Sequence, residues 1–146
     1  MKVTVLGLRG LPNVEGGVET HAENLYPRLA ALGCDVEILV RTPFSAPDQH
    51  SFGSIMLRRL WSPKSPGIEA FVHSILGVLY AGWSRPDVLH IHAIGPAIVT
   101  PLARSLGLRI VVTHHGPDYD RDKWGWFARY VLRLGERCGM RWSPGR

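Results

Sequence analysis

The sequence predicts an α/β fold, a Rossmann-like doubly wound parallel sheet, and three observations carry that expectation. Residues 3–6, 34–40, 54–60, 88–92 and 109–113 are short, β-branched runs that alternate with segments of helical periodicity. Such strands suit a parallel sheet covered on both faces. A glycine-rich loop, Gly7-Leu8-Arg9-Gly10-Leu11-Pro12 through Gly16-Gly17, lies between the first strand and the first helix. Ligands of these sheets collect at the carboxyl ends of the strands, which places that loop, His92 and His114-His115-Gly116 on one edge.

The elements follow in order. The first helix opens at Val18 or Glu19, and Ala22, Leu25, Tyr26, Leu29 and Leu32 recur along one face. Gly33 supplies a left-handed C-cap, while Pro27 removes one backbone bond and should kink the helix. Residues 42–53 hold two prolines and two serines and read as a surface loop before the third strand. Pro66 begins the next helix, whose expected inward stripe is Ile68, Phe71, Val72, Ile75, Leu76, Leu79 and Trp83. Gly95-Pro96 opens a helix that ends near Gly107, with Pro101 as an internal irregularity. A last amphipathic helix covers about residues 122–138, with Trp126, Phe127, Tyr130, Val131 and Leu134 inward.

Composition bounds the rest. The 146 residues, 45% hydrophobic and 20% charged, suit one domain with a real core and exclude a disordered chain. A formal charge of +5 is compatible with anionic small molecules, an acidic membrane surface or nucleic acid, and favours none. Cys34 and Cys138 are isolated and no secretory h-region precedes the first strand, so free thiols in a reducing cytoplasm are expected. The longest apolar stretch, residues 68–83, is shorter than the roughly 18–20 residues a bilayer span needs.

The opening loop is the centre of the functional reading. Glycines let backbone approach a ligand, and first-turn amides with the positive dipole end attract a phosphate. Gly7 and Gly10 do not give G-x-G-x-x-G, residues 34–40 end in Arg41 instead of a ribose-binding acid, and no Gly-Lys-Ser/Thr follows. A dinucleotide oxidoreductase is therefore disfavoured. The plain alternative is a glycine turn, with Glu19 serving only the helix's positive end.

His90, His92, His114 and His115 fall near two strand ends that should be neighbours. No HExxH or comparable spacing is present, so no metal site is expected. His90 reads as a satisfied core histidine, whereas His92 and His115 at strand tips suit a hydroxyl or phosphate ligand. Arg121, Lys123, Arg129, Arg133 and Arg137 interleave with Trp124 and Trp126. They form either a solvated basic face or a contact with an anionic membrane.

Three segments together resemble the family-4-type retaining glycosyltransferases of the GT-B fold. They are the glycine loop through Gly16-Gly17-Val18-Glu19, the strand Asp87-Val88-Leu89-His90-Ile91-His92, and Thr113-His114-His115-Gly116. His115-Gly116-Pro117-Asp118 through Lys123-Trp124-Gly125 is similar to the bacterial galactosyl- or rhamnosyltransferase branch of surface polysaccharide assembly. The resemblance extends to about Trp142. It implies a nucleotide-sugar donor as co-substrate, a glycan or lipid-linked acceptor, no cofactor or metal, and no nucleic acid partner. Gly16 and Gly17 would lie against the donor diphosphate and the acceptor, and His115 would contact the transferred sugar as the catalytic-centre residue. Glu19, His92 and Asp118 would be substrate-side residues. The family's second, nucleotide-gripping domain has no counterpart here, so residues 1–146 read as an incomplete, acceptor-side N-terminal half. That half alone should transfer little sugar. It would be cytoplasmic, with peripheral contact at the inner membrane face. The alternative from the residues is a non-catalytic phosphate- or sugar-binding module.

Overall fold

A computed structural model describes residues 1–117, 120 and 125–143 of the chain. Strands β1 (Lys2–Leu6), β2 (Asp35–Arg41), β3 (Ser51–Phe52), β4 (Ile55–Leu60), β5 (Val88–His92) and β6 (Ile110–Thr113) form one sheet in the order β3-β4-β2-β1-β5-β6. All neighbours pair in parallel except β3 with β4. The expected doubly wound class is therefore what the chain adopts, with an antiparallel edge. β3 falls inside the segment expected to be loop. It is a two-residue addition, Ser51 opposite Met56 and Phe52 opposite Ile55, closed by Gly53 at φ 58°. So short a strand carries no periodicity to read.

Strand order reverses beside β1: β2 follows to one side and β5 to the other. A crevice opens above such a point, outside the carboxyl ends of the strands. Val3, Val5, Ala22, Tyr26, Val36, Ile38 and Val40 bury one sheet face under helix α1 (Gly17–Ala31). Leu6, Leu39, Val78, Ala81, Leu89 and Ile91 bury the other under α2 (Ile68–Ser84) and α3 (Thr100–Ser105).

α1 runs as one helix across Pro27 and closes on a Schellman motif. Gly33 at φ 87° donates to Ala30 and Cys34 donates to Leu29, at 2.9 and 3.1 Å. The segment expected to be one helix from Gly95 to Gly107 is a 3₁₀ turn, Pro96–Val99, followed by α3. Pro101 lies in the first turn of α3, where a missing amide costs no helical bond.

Two inward faces differ from expectation. α2 buries His73, Ser74, Gly77, Val78 and Ala81, while Ile68, Phe71, Leu79 and Trp83 are exposed. Size decides this: a side chain at Gly77 would collide with Leu6, so small residues let the helix approach the sheet. Likewise α4 (Trp126–Trp142) buries Gly135 and Gly139 and leaves Trp126, Phe127, Tyr130 and Leu134 exposed. A side chain at Gly135 would strike the carbonyl of Ile94. Both stripes are rotated toward small residues that a hydrophobicity count overlooks. Cys34 and Cys138 are free thiols.

Candidate functional site

The crevice begins at Gly7. Its φ of 111° belongs to glycine, and a side chain there would run into the backbone of His92, so β1 and β5 touch at this point. Leu8 and Leu11 are buried and anchor the loop beyond. Arg9 sits between the loop's two ends. Its amide donates to Glu19 Oε1 at 3.1 Å, its Nε lies 3.3 Å from the same oxygen, and its guanidinium donates to the Glu15 carbonyl. Glu19 is buried in this contact. A side chain at Gly16 would collide with the Glu19 carboxylate, so glycine is required there. No side chain caps α1 at Gly16, and Gly17 has open space around its Cα. The first turn of α1 therefore starts on glycine with no side chain capping it.

Across the mouth stand four imidazoles. His90 and His92, two residues apart on β5, share a sheet face with ring centroids 4.2 Å apart. His115 follows β6 and stacks on His92 at 5.1 Å. His21, one helical turn beyond Gly17, meets His115 edge-on at 5.2 Å and lies 5.8 Å from His92. The glycine loop and His115 thus share one rim, with His92 behind it.

Hydrogen bonds link these rings into a series. Thr113 Oγ1 is 2.7 Å from His90 Nε2, and His90 Nδ1 is 2.8 Å from the Tyr26 hydroxyl. That hydroxyl is also hydrogen-bonded to His92 Nε2, and His92 Nδ1 is 2.8 Å from His115 Nε2. Burial lowers His90 to a pKa of about 4, helped by the charges of His21 and His115. Burial lowers His92 to about 2, with His90, His115 and His21 adding to it. His115 is more open and is lowered by its own partial burial, then by His21 and His114, with Glu19 opposing. Burial raises the Tyr26 hydroxyl well above its usual range. All three rings are neutral at pH 7 and Tyr26 keeps its proton. Among the described residues, no three His, Cys, Asp or Glu side chains are arranged to hold a metal ion.

Of the residues singled out from sequence, Gly16, Gly17, Glu19 and His115 lie on this rim, with Glu19 engaged by Arg9. His92, expected to face a ligand, is wholly buried behind it, with Tyr26 and His115 on its two ring nitrogens. Asp118 lies outside the described residues. His90 has partners on both ring nitrogens, as a satisfied core histidine should. His114 points away to Glu136 Oε1 at 2.8 Å. Tyr26 and His21 escaped the sequence reading as site residues. Tyr26 looked like one more member of an apolar stripe, and the four-residue step from Gly17 to His21 was the available signal.

The six-stranded, mostly parallel sheet with helices on both faces defines the class: a Rossmann-like α/β domain, consistent with one half of a GT-B fold. The family model for Glycosyltransferase Family 4 matches residues 15–143, and the chain belongs to that family. Comparison with curated proteins gave no match. The matched stretch contains α1, β5, β6 and every imidazole of the rim, so this is a glycosyltransferase-family domain and a transferase by class.

Proposed function

We propose that this chain is the acceptor-side half of a retaining, metal-independent glycosyltransferase. It would pass a hexosyl or rhamnosyl group from a nucleotide sugar to a glycan or lipid-linked acceptor in cell-surface polysaccharide assembly. The observation that carries the reading is the uncapped glycine start of α1, whose His21 one turn on lies 5.2 Å from His115, beside the strand-order reversal. The amides near Gly16 and Gly17 stabilise negative charge on the departing diphosphate, the main electrostatic demand of this chemistry. His115 contacts the transferred sugar, Asp118 serves as an acceptor-side residue, and the buried His92 acts through His115, to which its Nδ1 is bonded. Glu19 acts by holding Arg9 and so shaping the loop. The nucleotide of the donor is held by a second domain, which completes the cleft.

The same reading puts the enzyme at the cytoplasmic face of a membrane. No helix among the described residues is long and apolar enough to cross one. Contact is then peripheral, through the exposed Trp126, Phe127 and Tyr130 of α4.

Titration of ¹⁵N-labelled protein with UDP- and GDP-sugars tests the proposal. Amide shifts should concentrate at Gly16, Gly17 and His115 and be absent with NAD. Preferential binding of NAD, or shifts confined to another edge, overturns it.

A further inference from the structure

We infer that the outward face of α2 is a self-association surface, on which two copies of this chain pair helix against antiparallel helix. The apolar stripe of α2, Ile68, Val72, Ile75, Leu76, Leu79 and Trp83, lies outside the residues that the helix buries on the sheet. None of the six is fully buried, and with Phe71 beside them Ile68, Phe71, Leu79 and Trp83 are 57, 49, 50 and 80% exposed. The stripe carries no charge, and the neighbouring Glu69 is already paired with Arg41 at 3.2 Å. A helix that is apolar on its outer side as well as its inner one is normally covered on both.

Area and charge name the occupant. At these exposures the four residues leave about 500 Å² of apolar surface, near the upper end of the largest patch a monomer carries. Two copies would bury about 1,000 Å² between them, which is what a specific pair needs. An anionic lipid surface asks instead for cations beside the apolar side chains. Arg133, Arg137 and Arg141 supply these on the exposed face of α4, and the α2 stripe has none.

The residue pattern names the orientation. Ile68, Val72, Ile75 and Leu79 recur at steps of four, three and four, the spacing of a helix–helix seam. The stripe is also symmetric about the midpoint between Ile75 and Leu76. A two-fold axis at that point sets Ile68 against Trp83 of the second copy, Val72 against Leu79, and Ile75 against Leu76. The outer pairs then join a larger side chain to a smaller one, which keeps the helices evenly spaced along the roughly 25 Å of α2. A parallel pair would set Trp83 on Trp83 at one end and Ile68 on Ile68 at the other, wedging the helices apart. Antiparallel helix dipoles are also favourably opposed.

Sedimentation equilibrium of the 146-residue chain over about 1–200 μM should show monomer and dimer in exchange. Leu79→Glu puts a carboxylate into the seam and should weaken the dimer by at least about thirtyfold. Trp83→Glu, at the most exposed of these positions, should do the same without touching the core. Trp126→Ser on α4 should leave the dimer unchanged. A wild-type chain that stays monomeric, a dimer that survives both α2 variants, or one lost in Trp126→Ser overturns the inference. So does a monomer that pellets with phosphatidylglycerol vesicles through Leu79, which assigns the stripe to lipid. Cysteine pairing checks the orientation, with Cys34→Ser and Cys138→Ser removing the native thiols. Chains carrying Ile68→Cys and Trp83→Cys should form a disulfide on mild oxidation only when mixed; either variant pairing with itself overturns the antiparallel register. None of these measurements uses a nucleotide sugar, so the transferase reading stands or falls separately.

Discussion

Both faces of the sheet bury histidine, and they treat it differently. On the α1 face, His90 and His92 have partners on both ring nitrogens and pass a continuous chain of hydrogen bonds to the rim. On the α2 face, His73 is fully buried, and its ring lies near the Val40 backbone without a well-formed hydrogen bond on either nitrogen. Burial and then the adjacent Arg41 push it down to about 4. The difference separates buried imidazoles held by hydrogen bonds from one held by packing. Among the described residues, the orphaned atoms of Thr4, Glu37, Arg41 and His73 all lie away from the α1 face.

The largest break in the comparison comes from backbone contact. Gly7→Ala puts a Cβ into the His92 backbone at a φ of 111°, and should cost about 3 kcal/mol or more in urea unfolding. Gly82→Ala on the α2 face meets only the Leu106 side chain at 3.0 Å, and should cost less than about 1 kcal/mol or stabilise the helix.

Next come the histidines themselves. His92→Phe removes one of the two partners of the buried Tyr26 hydroxyl and the partner of His115 Nε2, with an expected loss of about 1–3 kcal/mol. His73→Leu removes two poorly paired nitrogens from an apolar layer and should stay within about 1 kcal/mol of wild type at pH 7.5.

The pH dependence is smaller and sharpens the same contrast. Folded pKa values of about 4 for His73 and His90 lie below the unfolded 6.5. The unfolded chain therefore binds more protons in between, and stability is fully present above 6.5 and lost as pH falls toward 4. Unfolding curves between pH 7.5 and 4.5 should shift steadily to lower urea. His73→Leu should flatten that slope while leaving the His90 and His92 contribution. An unchanged slope would remove His73 from the account.

The smallest effect is expected on α4. Trp126→Ser, at an 83% exposed position, should change stability by no more than about 0.5 kcal/mol. Its loss should appear instead as weaker sedimentation with anionic vesicles. Unchanged vesicle binding would reduce this aromatic face to solvated surface.

Much of this contrast was legible in advance where chemistry is local. The alternation of strand and helix, Gly33 as a C-cap, the glycine loop, and His92 and His115 at strand tips all reflect short-range rules of backbone conformation and periodicity. The residues that α2 and α4 turn inward were not, because helix–sheet distance is set by the smallest residues in contact. Gly77 and Gly135 acquire meaning only opposite Leu6 and Ile94.

By itself the amino-acid order determined the doubly wound class and the sheet edge that gathers the glycine loop and the tips of β5 and β6, since both follow from periodicity and from which strand ends meet which loops. Only the tertiary structure decided that Tyr26 joins two histidines 64 and 66 positions away. A hydroxyl's role depends on what lies within about 3 Å of it, and packing alone brings those partners there.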